Sequence, residues 1–174
     1  GVWYDAAFMN ECCCPSCQKL MREKGLNPAK KEDRQEFARW TYYDMVEDLT
    51  AFAKKYNVIL LHDNAYSDII FGGKEGKSFL SYKGAMEVGI EFYSLSKSYD
   101  MTGMRISFAL GNKDVIQMFR KVRSQIDYGI FLPIQKAAVA ALTGPQDNVK
   151  EQCRIYEERN YALCRGMSSI GWKI

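Results

Sequence analysis

Three short apolar runs, Val58-Ile59-Leu60-Leu61, residues 89–93 and residues 106–110, constrain the fold of this chain more than any other feature. The first lacks polar alternation, so it predicts a strand buried on both faces, as in a parallel sheet. The other two predict a second and a third strand. Helical spacing fills the ground around them. Tyr42, Met45, Val46, Leu49, Phe52, Ala53 and Tyr56 recur at intervals of three and four and predict an amphipathic helix that Asn57 ends. Val115, Phe119, Val122 and Ile126 share one face of another helix. Residues 133–142 predict a third helix, with Pro133 in its first turn and Gly144-Pro145 closing it. A long helix over about 146–167 follows, and residues 168–174 read as the start of a further strand. Strands alternating with helices predict an α/β fold with a mostly parallel sheet and flanking helices.

Residues 1–40 lack convincing periodicity and read as irregular or partly helical. Charge also shifts along the chain: residues 1–50 carry seven Lys/Arg and nine Asp/Glu, and the remainder seventeen and twelve. At 174 residues the chain has room for one ordinary domain, or one and a small part of another. A net charge of +3 without a basic run argues against nucleic acid as partner. No apolar stretch reaches the roughly 18 residues of a membrane span. Four of the six cysteines crowd into Cys12, Cys13, Cys14 and Cys17, a poor disulfide framework, which predicts a reducing, cytoplasmic setting. Cys14-Pro15-Ser16-Cys17 has the spacing of a metal or redox pair, but no second pair with metal spacing exists, so no metal is expected. Cys153 and Cys164 read as small hydrophobes on the last helix.

Chemistry concentrates in two segments. Lys97, in Ser94-Leu95-Ser96-Lys97, falls just past a predicted strand, where open α/β sheets hold their ligands. A lysine amine condenses with an aldehyde when it is free of its proton. Ser94, Ser96 and Arg105 could together bind a phosphate, since guanidinium offers phosphate a two-pronged fork. Aldehyde and phosphate on one small molecule suggest pyridoxal 5'-phosphate. In Leu61-His62-Asp63-Asn64-Ala65-Tyr66, Asp63 would meet a protonated pyridine nitrogen. Tyr66 would hydrogen-bond the ring's phenolic oxygen, and His62 would pack near the ring or at the sheet edge.

The segments VILLHDNAYSDIIF and EFYSLSKSYDMTGMRISFALGN resemble the fold-type I pyridoxal-phosphate enzymes, the class I/II aminotransferases. With AFAKKYN, TGPQD and SIGWK, the wording is nearest the branch that contains the LL-diaminopimelate aminotransferases. The resemblance spans about residues 42–174. It implies part of that family's large domain over 41–168, the start of a small domain over 169–174, and an atypical cysteine-rich segment over 1–40. It also implies Lys97 as the lysine that bonds the cofactor, Asp63 and Tyr66 as its ring partners, and Ser94 and Arg105 as phosphate ligands, with Ser96 contributing.

The implied reaction moves an amino group between an amino acid and a 2-oxo acid in amino-acid metabolism, with lysine biosynthesis as the pathway of the nearest branch. A homodimer is implied too, because residues 124–135, with Asp127, Gly129 and Phe131, resemble a family loop near the subunit interface. The family's Asn-Pro-x-Gly turn would fall at Gln35-Glu36-Phe37-Ala38, and Asn27-Pro28-Ala29-Lys30 resembles only half of it. The family's glycine-containing phosphate loop, its stacking aromatic and its carboxylate-gripping arginine are not found, so the chain reads as a fragment. Two functions are therefore expected: the catalytic part of an aminotransferase, or a catalytically silent relative that binds or dimerises.

Overall fold

The structure, a computed structural model, describes residues 11–72 and 76–172. The described residues divide into two compact units, one up to Val58 and one from Ile59 on.

The first unit is helical. Cys14 caps helix α1 (Pro15–Glu23): its Sγ accepts the Cys17 N–H at 3.5 Å, and Pro15 occupies the first turn, where no N–H is needed. Asn27 then makes a tight turn, its Oδ1 accepting the Ala29 N–H at 3.0 Å while its own N–H goes to Asp33. Asn27 is thus spent on a local turn.

Helix α2 (Lys31–Tyr56) begins ten residues before the apolar periodicity becomes legible. Glu32 and Asp33 in its first turn and Lys54 and Lys55 in its last oppose the helix dipole, a signal that periodicity alone does not read. Its buried residues are Phe37, Ala38, Val46, Thr50 and Ala53, whereas Phe52 and Tyr56 of the expected face are exposed. Lys24 lies over the Trp40 ring at 3.4 Å from the centroid, which joins the two helices. Asn57 ends α2 as expected, in the left-handed conformation with φ 52°.

In the second unit three strands form a sheet of order β1-β2-β3: β1 (Leu60–Asn64), β2 (Gly89–Ser94) and β3 (Ser107–Gly111). β1 runs parallel to β2, with Asp63 opposite Phe92, and β2 runs antiparallel to β3, with Ser94 opposite Ser107. The sheet is therefore mixed rather than mostly parallel. The reason lies in the connections. Residues 65–88 return the chain to the same end of the sheet and contain the short helix α3 (Ala85–Val88). Residues 95–106 hold only helix α4 (Leu95–Ser98) and one 3-10 turn (Thr102–Met104), too little for such a crossing.

β1 starts two residues later than its apolar run. Among the described residues it pairs on one side only, so its burial alternates instead of being complete, and Leu61 is 60% exposed. At the far end, Gly111 stands where a side chain would meet the Gly89 carbonyl oxygen at 2.3 Å, and its φ is +138°.

Three helices complete the unit: α5 (Lys113–Arg123), α6 (Leu132–Thr143) and α7 (Asp147–Ser169). Asn112 caps α5 by accepting the N–H groups of Asp114 and Val115. Phe119 of α5 meets Phe92 of β2 edge to face, with ring centroids 5.6 Å apart. Leu95, Ile106 and Ala138 form a buried cluster ringed by Tyr93, Tyr99, Met101, Phe108, Ile130 and Ile134. The strand expected over 168–174 is not formed in the described part: α7 runs through Ser169 and a turn follows, with Trp172 N–H bonded to the Met167 carbonyl. Residues 173 and 174 lie outside the described residues. The helix continues two residues past 167, Ile170 caps it, and Gly171, at φ +92°, turns the chain away.

Candidate active site

Every residue singled out for chemistry stands at, or just beyond, the carboxyl end of β1 or β2. Asp63 is the fourth residue of β1 rather than the residue after it. Its carboxylate is exposed and makes no hydrogen bond or ion pair among the described residues. Tyr66 lies in the turn that follows, its carbonyl accepting the Ile69 N–H, and the residue is 62% exposed.

Ser94 ends β2 and caps α4, its Oγ accepting the Ser96 N–H at 3.2 Å. Lys97 is half-buried on that single helical turn. The turn is pinned on three sides. Leu95 is fully buried in the core. Ser98, also buried, donates to Asp68 Oδ2 at 2.6 Å. Thr102 donates its hydroxyl to the Ser96 carbonyl at 2.9 Å. Lys97 itself is left free to act: no carboxylate pairs with it among the described residues, and its ammonium lies 5.7 Å from the Tyr66 ring centroid.

Arg105 follows the 3-10 turn with φ +51°, a left-handed conformation that a side chain rarely adopts, and its guanidinium donates to the Thr102 carbonyl at 3.2 Å. Left-handed backbone at a non-glycine residue is stored strain, which concentrates at ligand sites.

A depression of about 340 Å³ is lined by Tyr66, Ile69, Phe71, Lys97, Tyr156 and Asn160. Lys97 and Tyr66 thus share one cavity, while Asp63, Ser94, Ser96 and Arg105 do not line it. A larger depression of about 560 Å³ lies along α7 between Ile155, Arg159 and Arg165 and holds none of these residues. Tyr156 and Asn160 escape sequence reasoning, although their spacing of four places them on one face of α7.

Two hydrogen-bond hubs also escape it. Asp68 accepts from both Tyr93 and Ser98, tying the β1 turn to α4, and the Tyr93 phenol is held well above its ordinary value by burial and by the Asp68 carboxylate. Glu91, inside β2, accepts from Asn64 Nδ2, Ser78 Oγ and the Phe79 N–H, and lies 2.9 Å from His62 Nδ1. Burial raises its pKa, but these partners outweigh burial and hold the carboxyl below its ordinary range. An ionised carboxylate has no proton to give, so Nδ1 of His62 donates. His62 is thereby a structural group at the sheet, edge-on to Phe79 with ring centroids 6.0 Å apart.

The chain matches the profile of Aminotransferase class I and II over residues 43–174. It is 44% identical to the LL-diaminopimelate aminotransferase of Halothermothrix orenii over 131 residues, 75% of this chain and 34% of that protein. It is 40% identical to the glutamate-pyruvate aminotransferase AlaC of Escherichia coli over 131 residues, 75% of this chain and 32% of that protein. Among solved structures it resembles substrate-bound BacF from Bacillus subtilis, with a TM-score of 0.69 and 38% identity over 76% of this chain and 33% of that one. The chain thus spans about a third of the length of the relatives it matches. Matched over three quarters of its residues by both sequence and fold, the chain belongs to the class I and II aminotransferase family.

Proposed function

We propose that this chain supplies the lysine and the cofactor contacts of a pyridoxal-phosphate aminotransferase, which moves an amino group between an amino acid and a 2-oxo acid. One observation carries the reading: Lys97, without a carboxylate partner among the described residues, shares a cavity with Tyr66 at the carboxyl edge of the sheet.

The residues present fit the cofactor. The Lys97 amine suits an aldehyde, the unpaired Asp63 carboxylate suits a protonated ring nitrogen, and the Tyr66 hydroxyl suits the phenolic oxygen. The hydroxyls of Ser94 and Ser96 with the Arg105 guanidinium suit a phosphate. When bound, the cofactor supplies an electron sink for the charge left by a departing α-proton.

The protein's part is positioning and proton transfer. Lys97 Nζ, once deprotonated, takes the α-proton of the amino acid and can return it to a neighbouring atom, since α4 holds it in place through Leu95 and Ser98. Asp63 holds a positive charge on the ring side, and Arg105 neutralises the phosphate.

The name LL-diaminopimelate aminotransferase among the relatives supports an amino acid of the diaminopimelate type as donor, and lysine biosynthesis is the pathway this reading proposes. The division that goes with this reading is a cofactor-binding part over residues 41–168, a cysteine-rich segment before it and the opening of a small domain after it. Six unpaired thiols support a cytoplasmic setting. The exposed apolar residues Val122, Ile126, Tyr128, Phe131 and Leu132 support a homodimer, and they equally favour a second reading, a silent member of the family that dimerises.

Absorbance after adding pyridoxal phosphate to the purified chain separates the two. A new band that Lys97→Ala abolishes supports the aminotransferase reading. No band at saturating cofactor overturns cofactor binding by this chain and leaves the dimerising module.

A further inference from the structure

We propose that Cys12, Cys14 and Cys17 form a three-thiolate site for one soft closed-shell cation of the Zn²⁺ or Cu⁺ class. The Sγ atoms of these residues all lie within 4.8 Å of one another. Two thiolates on one zinc ion stand about 3.8 Å apart, from Zn–S bonds of about 2.3 Å in tetrahedral geometry. Closing the cluster on an ion therefore needs movements of about 1 Å, and Cys12 and Cys14 are exposed.

The backbone brings the cluster to the start of α1, where Cys14, at φ −65° and ψ 159° in the polyproline II range, is the cap. The cap geometry does the rest, because Cys17 in the first turn of α1 directs its N–H at Cys14 Sγ. Gln18 holds the approach by donating to the Cys13 carbonyl at 2.8 Å. The start of the helix favours a thiolate at Cys14, whose thiol the Cys17 N–H holds below its ordinary value, whereas hydrogen bonds to Cys12 and Cys14 push the Cys17 thiol up to about 12 until a cation offsets them.

Three sulfurs with no imidazole or carboxylate among them make a soft donor set, which selects closed-shell thiophilic ions over magnesium or calcium. Cu⁺ is satisfied by three thiolates, and Zn²⁺ takes its fourth ligand from solvent. Each thiol gives up its proton to water as its bond to the metal forms, so about three protons leave per ion bound. The family match begins at residue 43, so the cluster lies outside the segment shared with the aminotransferases. Sequence spacing missed it because it weighed Cys14 and Cys17 as a pair and sought a second pair. The third ligand lies two residues before the first.

The test is an anaerobic titration of the reduced, metal-free full chain with Co²⁺, then with Zn²⁺ and separately with Cu⁺ against a chelator. The expected result is a thiolate-to-cobalt charge-transfer band that saturates at one ion per chain and is bleached by Zn²⁺. Cu⁺ uptake without cobalt or zinc binding also supports the site and assigns it to the three-coordinate ion. Cys12→Ser, Cys14→Ser and Cys17→Ser should each weaken binding by at least about tenfold with helical circular dichroism unchanged, while Cys13→Ser and Cys153→Ser leave it intact. Binding of none of the three ions, binding that survives both Cys14→Ser and Cys17→Ser, binding lost with Cys13→Ser, or one ion shared by two chains would overturn the proposal.

Discussion

The ammonium of Lys97 stands 5.7 Å from the centroid of the Tyr66 ring. Lys97 lies just past the end of β2 and Tyr66 just past the end of β1, so the parallel pairing of those two strands brings the two groups into one cavity. Tyr66 has a ring to face the lysine and a hydroxyl without a partner among the described residues. Tyr66→Phe keeps the first and removes the second. Cofactor affinity should fall by about fivefold, the size of one hydrogen bond of about 1 kcal/mol, and Tyr66→Ala should cost more. Titration of the cofactor's absorbance band measures both.

Arg105 separates binding from stability. Its left-handed backbone, at φ +51°, costs an ordinary residue about 1 kcal/mol that glycine avoids. Arg105→Gly should leave the melting temperature nearly unchanged, because the relief of strain offsets the added chain entropy of glycine. The same variant should lose phosphate affinity, read as at least a tenfold weaker response to pyridoxal phosphate or to inorganic phosphate as competitor. A large fall in melting temperature would show that the guanidinium serves the turn instead.

Glu91 predicts how the fold responds to acid. The residue is 4% exposed, and its carboxylate serves four partners. Its folded pKa lies below the ordinary 4.5, so its contribution to stability is fully present above that value. The contribution is lost as the pH falls through the folded value. Denaturant melts of the native chain should weaken below about pH 4.5, and Glu91→Gln should flatten that part of the profile. Glu91→Ala, which strands the donors of Ser78 and Phe79, should destabilise the unit by about 3 kcal/mol at neutral pH.

Asp68 predicts the behaviour of the Tyr93 phenol. Burial and the Asp68 carboxylate hold that phenol above its ordinary value of 10.0, so it should stay protonated in an alkaline absorbance titration after the exposed tyrosines have ionised. Because its folded pKa is raised, the stability it contributes is present below 10.0 and lost as the pH rises beyond it. Asp68→Asn should move the phenol partway back, since burial persists. The same change weakens the acceptor of the buried Ser98 and should raise the cofactor concentration needed to load Lys97.

Leu95 anchors the lysine-bearing turn. It is fully buried in the cluster with Ile106 and Ala138. Leu95→Ala should cost about 2–5 kcal/mol by opening a cavity, seen as a lower denaturation midpoint. Cofactor loading should fall with it, because the turn that carries Lys97 loses its anchor.

Periodicity and local chemistry in the sequence sufficed to determine the helices α5, α6 and α7, the cap at Asn57 and the positions of β2 and β3, because each rests on neighbours within a few residues. The Lys97 and Asp63 segments were legible for the same reason, as strand ends followed by reactive groups. What only tertiary structure decided depends on residues far apart in the chain. The antiparallel course of β3 follows from how little the connection before it can span. The edge position of β1, which leaves Leu61 exposed, depends on which strands pair. Asp68 with Tyr93 and Ser98, Glu91 with Ser78 and His62, and Tyr156 beside Lys97 are contacts across 13 to 59 residues of sequence that no local pattern encodes. Even the convergence of Cys12 on Cys14 and Cys17 shows only once the three sulfurs have their places in space. A short-range pattern reports what a segment will become, and the packing of segments decides which polar groups end up with a partner.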